Sequence, residues 1–450
     1  MAGAEAEGGV KGGAEAAGGP GTGAEAGLPQ VRGHVEALDG VRALAALMVL
    51  VFHVAIETGA ALAPGVLGAL LATGELGVPL FFALSGLLLY RPWARAAFDD
   101  TPLPRARPYL WRRALRVLPA YWLVAVVALL LWSREHLNSG AVWAQVMTLT
   151  YVFDTDPWYV GTGPYGLGQT WSLSVEATFY ALLPLLALLL HRAAARGRPG
   201  PAVRGRRLLV GLALITAVGV LALLPQYYPE PRPYMYAWLP RCLGMFAVGM
   251  GLAVLGEWAW REGGKAGAAD GPVRRFCRTL PRAATLCWLL AGAMYLLAAT
   301  PAAGPRFVGV DGFWISLVSM ATSMGFAFFV IAPVALRPAR PAGPPPVRAG
   351  GGAWLEALLG HRVMRYLGRI SYGVFLWQFI VLYLWRDFTG QEIFTGSFWL
   401  DVIPVAAGTV VLADLTYRFV ERPARHWYGA ADGGRRKNRS GPRRPRTPVN

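Results

Sequence analysis

Apolar stretches of roughly 20 residues, the length that crosses a bilayer as one helix, recur along this chain. They fall near residues 40–57, 74–90, 117–133, 172–190, 208–224, 236–256, 284–300, 313–335, 367–385 and 398–418. The pattern predicts an all-α polytopic membrane protein of about ten transmembrane helices. Both ends break it. Residues 1–33 are a Gly/Ala/Glu tract almost free of large apolar side chains, too poor in them to build a core and without the apolar run of a signal peptide. Residues 428–450 are polar and basic. The expected organisation is a disordered N-terminal tail over 1–33, one transmembrane domain over 34–427 and a disordered basic tail over 428–450.

Composition agrees with the pattern. Of 450 residues, 55% are hydrophobic and only 15% charged, against about 45–50% and about 25% for a soluble domain. An ordinary cytosolic enzyme, a disordered chain and a collagen-like repeat are excluded. The net charge of +17 raises nucleic acid as a partner, until the charges are sorted by side. With the N-terminus cytoplasmic, 36 of the 43 Lys and Arg lie in cytoplasmic segments, and only Arg134, Arg232, Arg306 and Arg386 lie opposite. Every basic loop falls on one side only when the count is ten, as the positive-inside bias requires. The expected arrangement therefore has both termini cytoplasmic, in the plasma membrane. Anionic lipid is then enough to explain the charge and nucleic acid is not needed. Cys242, Cys277 and Cys287 have neither disulfide nor metal-ligand spacing and read as small core residues, so no metal site is expected.

Ionisable residues at membrane depth are costly and so are candidates for function. Arg42 and His53 share the first span, GVRALAALMVLVFHV. Eleven residues make about three turns, which puts both on one face about 16 Å apart along the axis. Between them on that face Ala46 and Val49 are small. A snorkelling arginine and a histidine hydrogen-bonded within the bundle would explain the pair equally well. Glu176 lies in WSLSVEATFY with Ser172 and Tyr180 at i−4 and i+4. It is either a carboxylate satisfied by those hydroxyls or one that orients a histidine for acid–base work. Arg112, Arg113 and Arg116 precede the third span. They are a positive-inside cluster or a clamp for a phosphorylated donor, because guanidinium forks match phosphate oxygens. Asp414 and Arg418, at i,i+4, read as a structural pair. Trp158, Tyr159 and Tyr165, in the outer segment 151–170, read as part of an interfacial aromatic belt in preference to an acceptor platform.

These motifs together resemble the membrane-bound acyltransferase family 3. Arg42 and His53 match its Arg-x10-His pattern, and Phe81-Phe82-Ala-Leu-Ser85-Gly86 is similar to its FFxxSG element. Arg113-Ala-Leu-Arg116 matches its RxxR motif. WSLSVEATFY, ISYGVFLWQF and YRFVERPAR resemble three further blocks, all in order over about residues 34–427. Gln378 stands where many members have histidine, Pro79 where some have an acidic residue, and no soluble hydrolase-like domain follows the last span.

The resemblance implies an O-acyltransferase with no permanently bound cofactor, taking acyl-CoA, often acetyl-CoA, as co-substrate. The acceptor would be a hydroxyl of a glycan or of a glycosylated or other secondary metabolite. It implies catalytic roles for His53, Glu176 and Arg42, with the donor held by Arg42, Ser85, Arg113 and Arg116. The donor's pantetheine arm would run past Arg42, Ala46 and Val49 to His53, with Glu176 orienting His53 or the acceptor. A proton-coupled transporter or flippase relaying through His53 and Glu176 is the competing reading, although no internal repeat supports it. A catalytically inactive scaffold is the third.

Overall fold

The computed structural model describes residues 28–262, 270–306, 312–338 and 352–432. It is built from helices α1 (Glu36–Glu57), α2 (Val66–Ala72), α3 (Gly77–Asp99), α4 (Ala106–Trp132), α5 (Gly140–Met147), α6 (Trp171–Ala195), α7 (Pro201–Leu221) and α8 (Leu223–Tyr227). They continue as α9 (Leu239–Glu262), α10 (Pro272–Arg282), α11 (Ala284–Ala298), α12 (Phe313–Ala335), α13 (Ala353–Leu359), α14 (Arg362–Thr389) and α15 (Phe398–Thr416). Among the described residues there is no strand, only an isolated bridge between Pro29 and Pro338. A chain that must satisfy its backbone inside lipid has helices as its solution. Most of the expected tails, 1–27 and 433–450, lie outside the described residues.

Among the described residues, nine helical segments are long and apolar enough to span a membrane, and ten if α10 and α11 count as one span broken by a 78° bend. The bend accommodates composition. The α10 sequence PVRRFCRTLPR carries four arginines that cannot enter lipid, whereas α11 is apolar throughout. Two expected boundaries move. Helix α3 runs on to Asp99 past Arg91 and Arg95, and α4 starts at Ala106, so the RxxR arginines lie within a helix, not in a loop before one.

The described basic segments lie at one end of the bundle, where ion pairs lock the helix ends. Glu257 of α9, buried at 2% exposure, accepts from Arg95 Nε at 3.1 Å and from Arg261 Nη1 at 2.7 Å, while Arg261 also holds Asp99 at 2.6 Å. Both described chain ends meet this face. The Gln30 amide donates to Arg337 O at 2.7 Å, Trp260 Nε1 to Pro29 O at 2.6 Å and Trp111 Nε1 to Trp427 O at 3.1 Å. The three cysteines are free and buried. The Asp414–Arg418 pair forms at 2.7 Å, with Tyr366 OH donating to the same carboxylate at 2.6 Å.

Helix α1 is wedged between α3 and α14, and α3 packs along α9. That last contact depends on glycine. A Cβ at Gly249 would run into the backbone of α3 at Ala83 O and Leu87 N, and one at Gly86 into Phe246 O of α9. Without solvent to drive association, close backbone approach is what packs helices in lipid. Gly249→Ala is expected to force α3 and α9 apart and cost about 1–3 kcal/mol, as overpacking does. Thermal unfolding in detergent, followed by size-exclusion chromatography, would register this as a lowered midpoint.

Candidate active site

Two cavities lie one above the other inside the bundle. The inner one, about 100 Å³, is nearer the basic face. Its walls carry Arg42 of α1, Ser85 of α3, Arg113 and Arg116 of α4, and Glu176 and Tyr180 of α6. Five of the six site residues expected from sequence therefore converge in one place. Ser85 Oγ donates to Glu176 Oε1. The expected partner Ser172 instead donates to Gln169 O at 3.1 Å, because on α6 it points back to the turn before it. Arg42 Nη1 donates to Asp39 Oδ1 at 3.2 Å. Arg113 Nε is buried with no hydrogen-bond partner among the described residues. Three guanidinium groups face a single carboxylate in this space, and one of them has a buried donor unsatisfied. That is a site short of an anion.

The C-terminal motif explains how the arginines are held. The last helix passes into a π-helical turn at Tyr417–Glu421, which brings the buried carboxylate of Glu421 into the field of Arg116. Such bulges are frequent where a helix must re-aim side chains at a functional site.

The outer cavity is larger, about 920 Å³. His53 faces it, four residues before the end of α1, with its ring against Phe379 (centroids 4.3 Å apart). The two cavities share Val78, Phe82 and Phe375 as wall residues, so these three side chains form the constriction between them. Glu176 lines the inner cavity and not the outer. Its carboxylate turns toward α3, where it takes the Ser85 hydroxyl. Of the residues on the expected route along α1, Arg42 lines the inner cavity, Val49 the outer one and Ala46 neither. Ala46 is 3% exposed and packs in one apolar cluster with Ile370 and Val374 of α14.

Sequence reasoning assigned the aromatic residues of 151–170 to a belt, and the structure folds them back over the outer cavity. Tyr159 OH donates to Tyr151 O at 3.1 Å, Gln169 Nε2 to Leu376 O at 2.8 Å, and Tyr165 stacks on Tyr383 at 4.2 Å. Trp158, Tyr159, Tyr165 and Trp171 all line the cavity. Belt and platform share one composition, and only the fold-back tells them apart. Burial, with Asp154 nearby, pushes the Tyr159 phenol up to about 12, so it stays a neutral hydrogen-bonding group. The Glu57–Arg386 ion pair at 2.7 Å was not read from sequence. Arg386 looked like a loop residue, yet α14 continues to Thr389 and buries it against α1. Of the other arginines within spans, Arg241 lines the outer cavity over the Tyr236 ring at 4.2 Å, whereas Arg369 is exposed on α14.

This bundle of membrane helices, with a cationic inner cavity and an aromatic outer one, is matched by the acyltransferase domain family over residues 35–418. The chain belongs to that family, the acyltransferase 3 family. It is 24% identical over 411 residues to the peptidoglycan O-acetyltransferase OatA of Listeria monocytogenes, covering 88% of this chain and 56% of OatA. It is 25% identical over 402 residues to the putative peptidoglycan O-acetyltransferase YrhL of Bacillus subtilis, covering 87% and 55%. A shorter match, 29% identity over 140 residues, links it to the regulator of hypoxia-inducible factor 1 of Caenorhabditis elegans, covering 29% of this chain and 27% of that protein. The chain spans about half the length of the two O-acetyltransferases. No solved structure matches it.

Proposed function

We propose that the protein is an O-acetyltransferase that takes an acetyl group from acetyl-CoA at the basic, cytoplasmic face and delivers it to a glycan hydroxyl in the outer cavity. The observation that carries this is the stacking of the two cavities, with the free guanidinium donor in the inner one and, in the outer one, His53 on α1 just beyond the constriction, with a second imidazole, His136, elsewhere in its wall. The inner cavity is too small for a nucleotide. The CoA phosphates would stay at the basic face against Arg113 and Arg116, and the thin pantetheine arm would pass the constriction at Val78, Phe82 and Phe375. Ser85 and Glu176 would hold the arginine cluster in register.

In the outer cavity His53 Nε2 takes the proton of the acceptor hydroxyl as its oxygen attacks the thioester carbonyl. An ester C–O bond forms, the C–S bond breaks, and CoA leaves as the thiolate, which is protonated by the imidazolium or by solvent. An imidazole suits this because it exchanges a proton near neutral pH. Aromatic walls suit the apolar faces of sugar rings, and the relatives' names point to peptidoglycan as the glycan. Purified protein in nanodiscs, given labelled acetyl-CoA and peptidoglycan disaccharide units, is expected to form a base-labile O-acetyl product. A transporter or an inactive scaffold would form none.

A further inference from the structure

One group beside His53 has no place in the chemistry above. Gln378 of α14 is 1% exposed, and its Nε2 donates to Phe375 O at 2.9 Å. That bond fixes the amide plane. Turning the amide over would set two acceptors, Oε1 and Phe375 O, face to face. Gln378 Oε1 is therefore an acceptor held in one direction, and among the described residues it has no donor. Gln378 lies beside His53, whose ring packs on the adjacent Phe379 with centroids 4.3 Å apart. On the His53 ring, Nδ1 is buried and likewise has no partner among the described residues. The ring lines the outer cavity, so Nε2 is the nitrogen that meets it.

A buried acceptor without a donor, beside a buried ring nitrogen without a partner, allows one pairing. We propose that Gln378 is a positioning residue that holds His53 as its Nδ1–H tautomer, leaving the Nε2 lone pair in the outer cavity. A neutral imidazole carries one N–H, and the bond made by one nitrogen decides which of them is the base. An amide does this without sharing the proton. When Nε2 takes the acceptor hydroxyl proton, the imidazolium keeps its Nδ1–H bond to Oε1 and gains Nε2–H toward the departing groups.

Of the charged and titratable groups that line the outer cavity with the ring, Glu57 lies one turn along α1, Tyr383 on α14, Glu75 before α3 and His136 after α4, with Arg386 paired to Glu57. Glu57 is engaged by Arg386 at 2.7 Å and by Tyr383 OH at 3.4 Å. No carboxylate bonds the ring among the described residues, which leaves the orienting task to the amide. The inference rests on His53 being the base in the reaction proposed above.

The test compares four variants with the unaltered protein in nanodiscs, using labelled acetyl-CoA and peptidoglycan disaccharide units. Gln378→Leu, which removes the acceptor, is expected to lower kcat about ten- to a hundredfold, as loss of a ligand-orienting partner does, with both KM values within about twofold. Gln378→Met keeps the length of the side chain and behaves alike, serving where the leucine variant folds poorly. Gln378→Glu restores an acceptor, recovers most of kcat and moves the acidic limb of the kcat/KM profile to higher pH. The direction follows because a carboxylate beside the ring favours the imidazolium, so the neutral base appears only at higher pH. Wild-type kcat in both Gln378→Leu and Gln378→Met overturns the proposal. So does a glutamate variant as slow as the leucine one with an unmoved acidic limb. An active His53→Ala variant, or an unaltered protein that transfers nothing, breaks the functional reading instead.

Discussion

His53→Ala is expected to slow acetyl transfer about 10²- to 10⁴-fold, the range a positioned general base supplies. The protein should keep its fold. The ring fills space beside Phe52 and Phe379 and lines the outer cavity, so its removal enlarges a cavity that is already open. The loss should fall on kcat, because the imidazole acts on the proton that moves in the transition state and the acceptor is gripped elsewhere by the aromatic walls. Initial rates at saturating acetyl-CoA over a range of acceptor concentrations measure this. A large rise in acceptor KM at unchanged kcat would make His53 a binding residue.

Arg113→Ala, alone or with Arg116→Ala, is expected to raise the KM for acetyl-CoA with little change at saturation. A hydrogen bond to a charged group contributes about 1.5–3 kcal/mol, or about ten- to a hundredfold for one arginine. Replacement by lysine should recover only part of this, because an ammonium keeps the charge and loses the two-pronged match to phosphate oxygens. Dephospho-CoA or pantetheine thioesters, which lack some or all of the phosphates, should discriminate less between the variants than acetyl-CoA does. If the variants differ equally on all three donors, the arginines hold the helix ends and not the donor.

Much of the architecture was legible because lipid leaves the chain few options. Apolar runs of spanning length and the one-sided distribution of arginine yielded the helices and their number, with the α10–α11 bend as the departure. The inner site was legible for the same reason. Arg42, Ser85, Arg113, Arg116 and Glu176 violate apolar segments or form recognisable motifs, and they meet in one cavity. What stayed hidden depends on helix rotation and on contacts between distant segments. Glu176 pairs with Ser85, 91 residues away, and not with Ser172 one turn away on its own helix. Glu57 and Arg386 are 329 residues apart, and each alone reads as a helix-end charge. Gln378 looked like the loss of a titratable group, and only its fixed amide beside His53 gives it a task. Trp158, Tyr159 and Tyr165 could not be told from a membrane belt until residues 151–170 were seen to fold inward.

In the proposed reaction donor and acceptor meet the protein from opposite faces of the membrane, and sided reconstitution tests that directly. Purified protein is placed in sealed proteoliposomes whose orientation is scored by protease access to the basic loops. Labelled acetyl-CoA is supplied on one side and a membrane-impermeant glycan acceptor on the other. Label should reach the acceptor when acetyl-CoA meets the basic face and the acceptor meets the opposite face, and in no other arrangement. Equal transfer with both substrates confined to the basic face would contradict passage of the acetyl group through the constriction at Val78, Phe82 and Phe375.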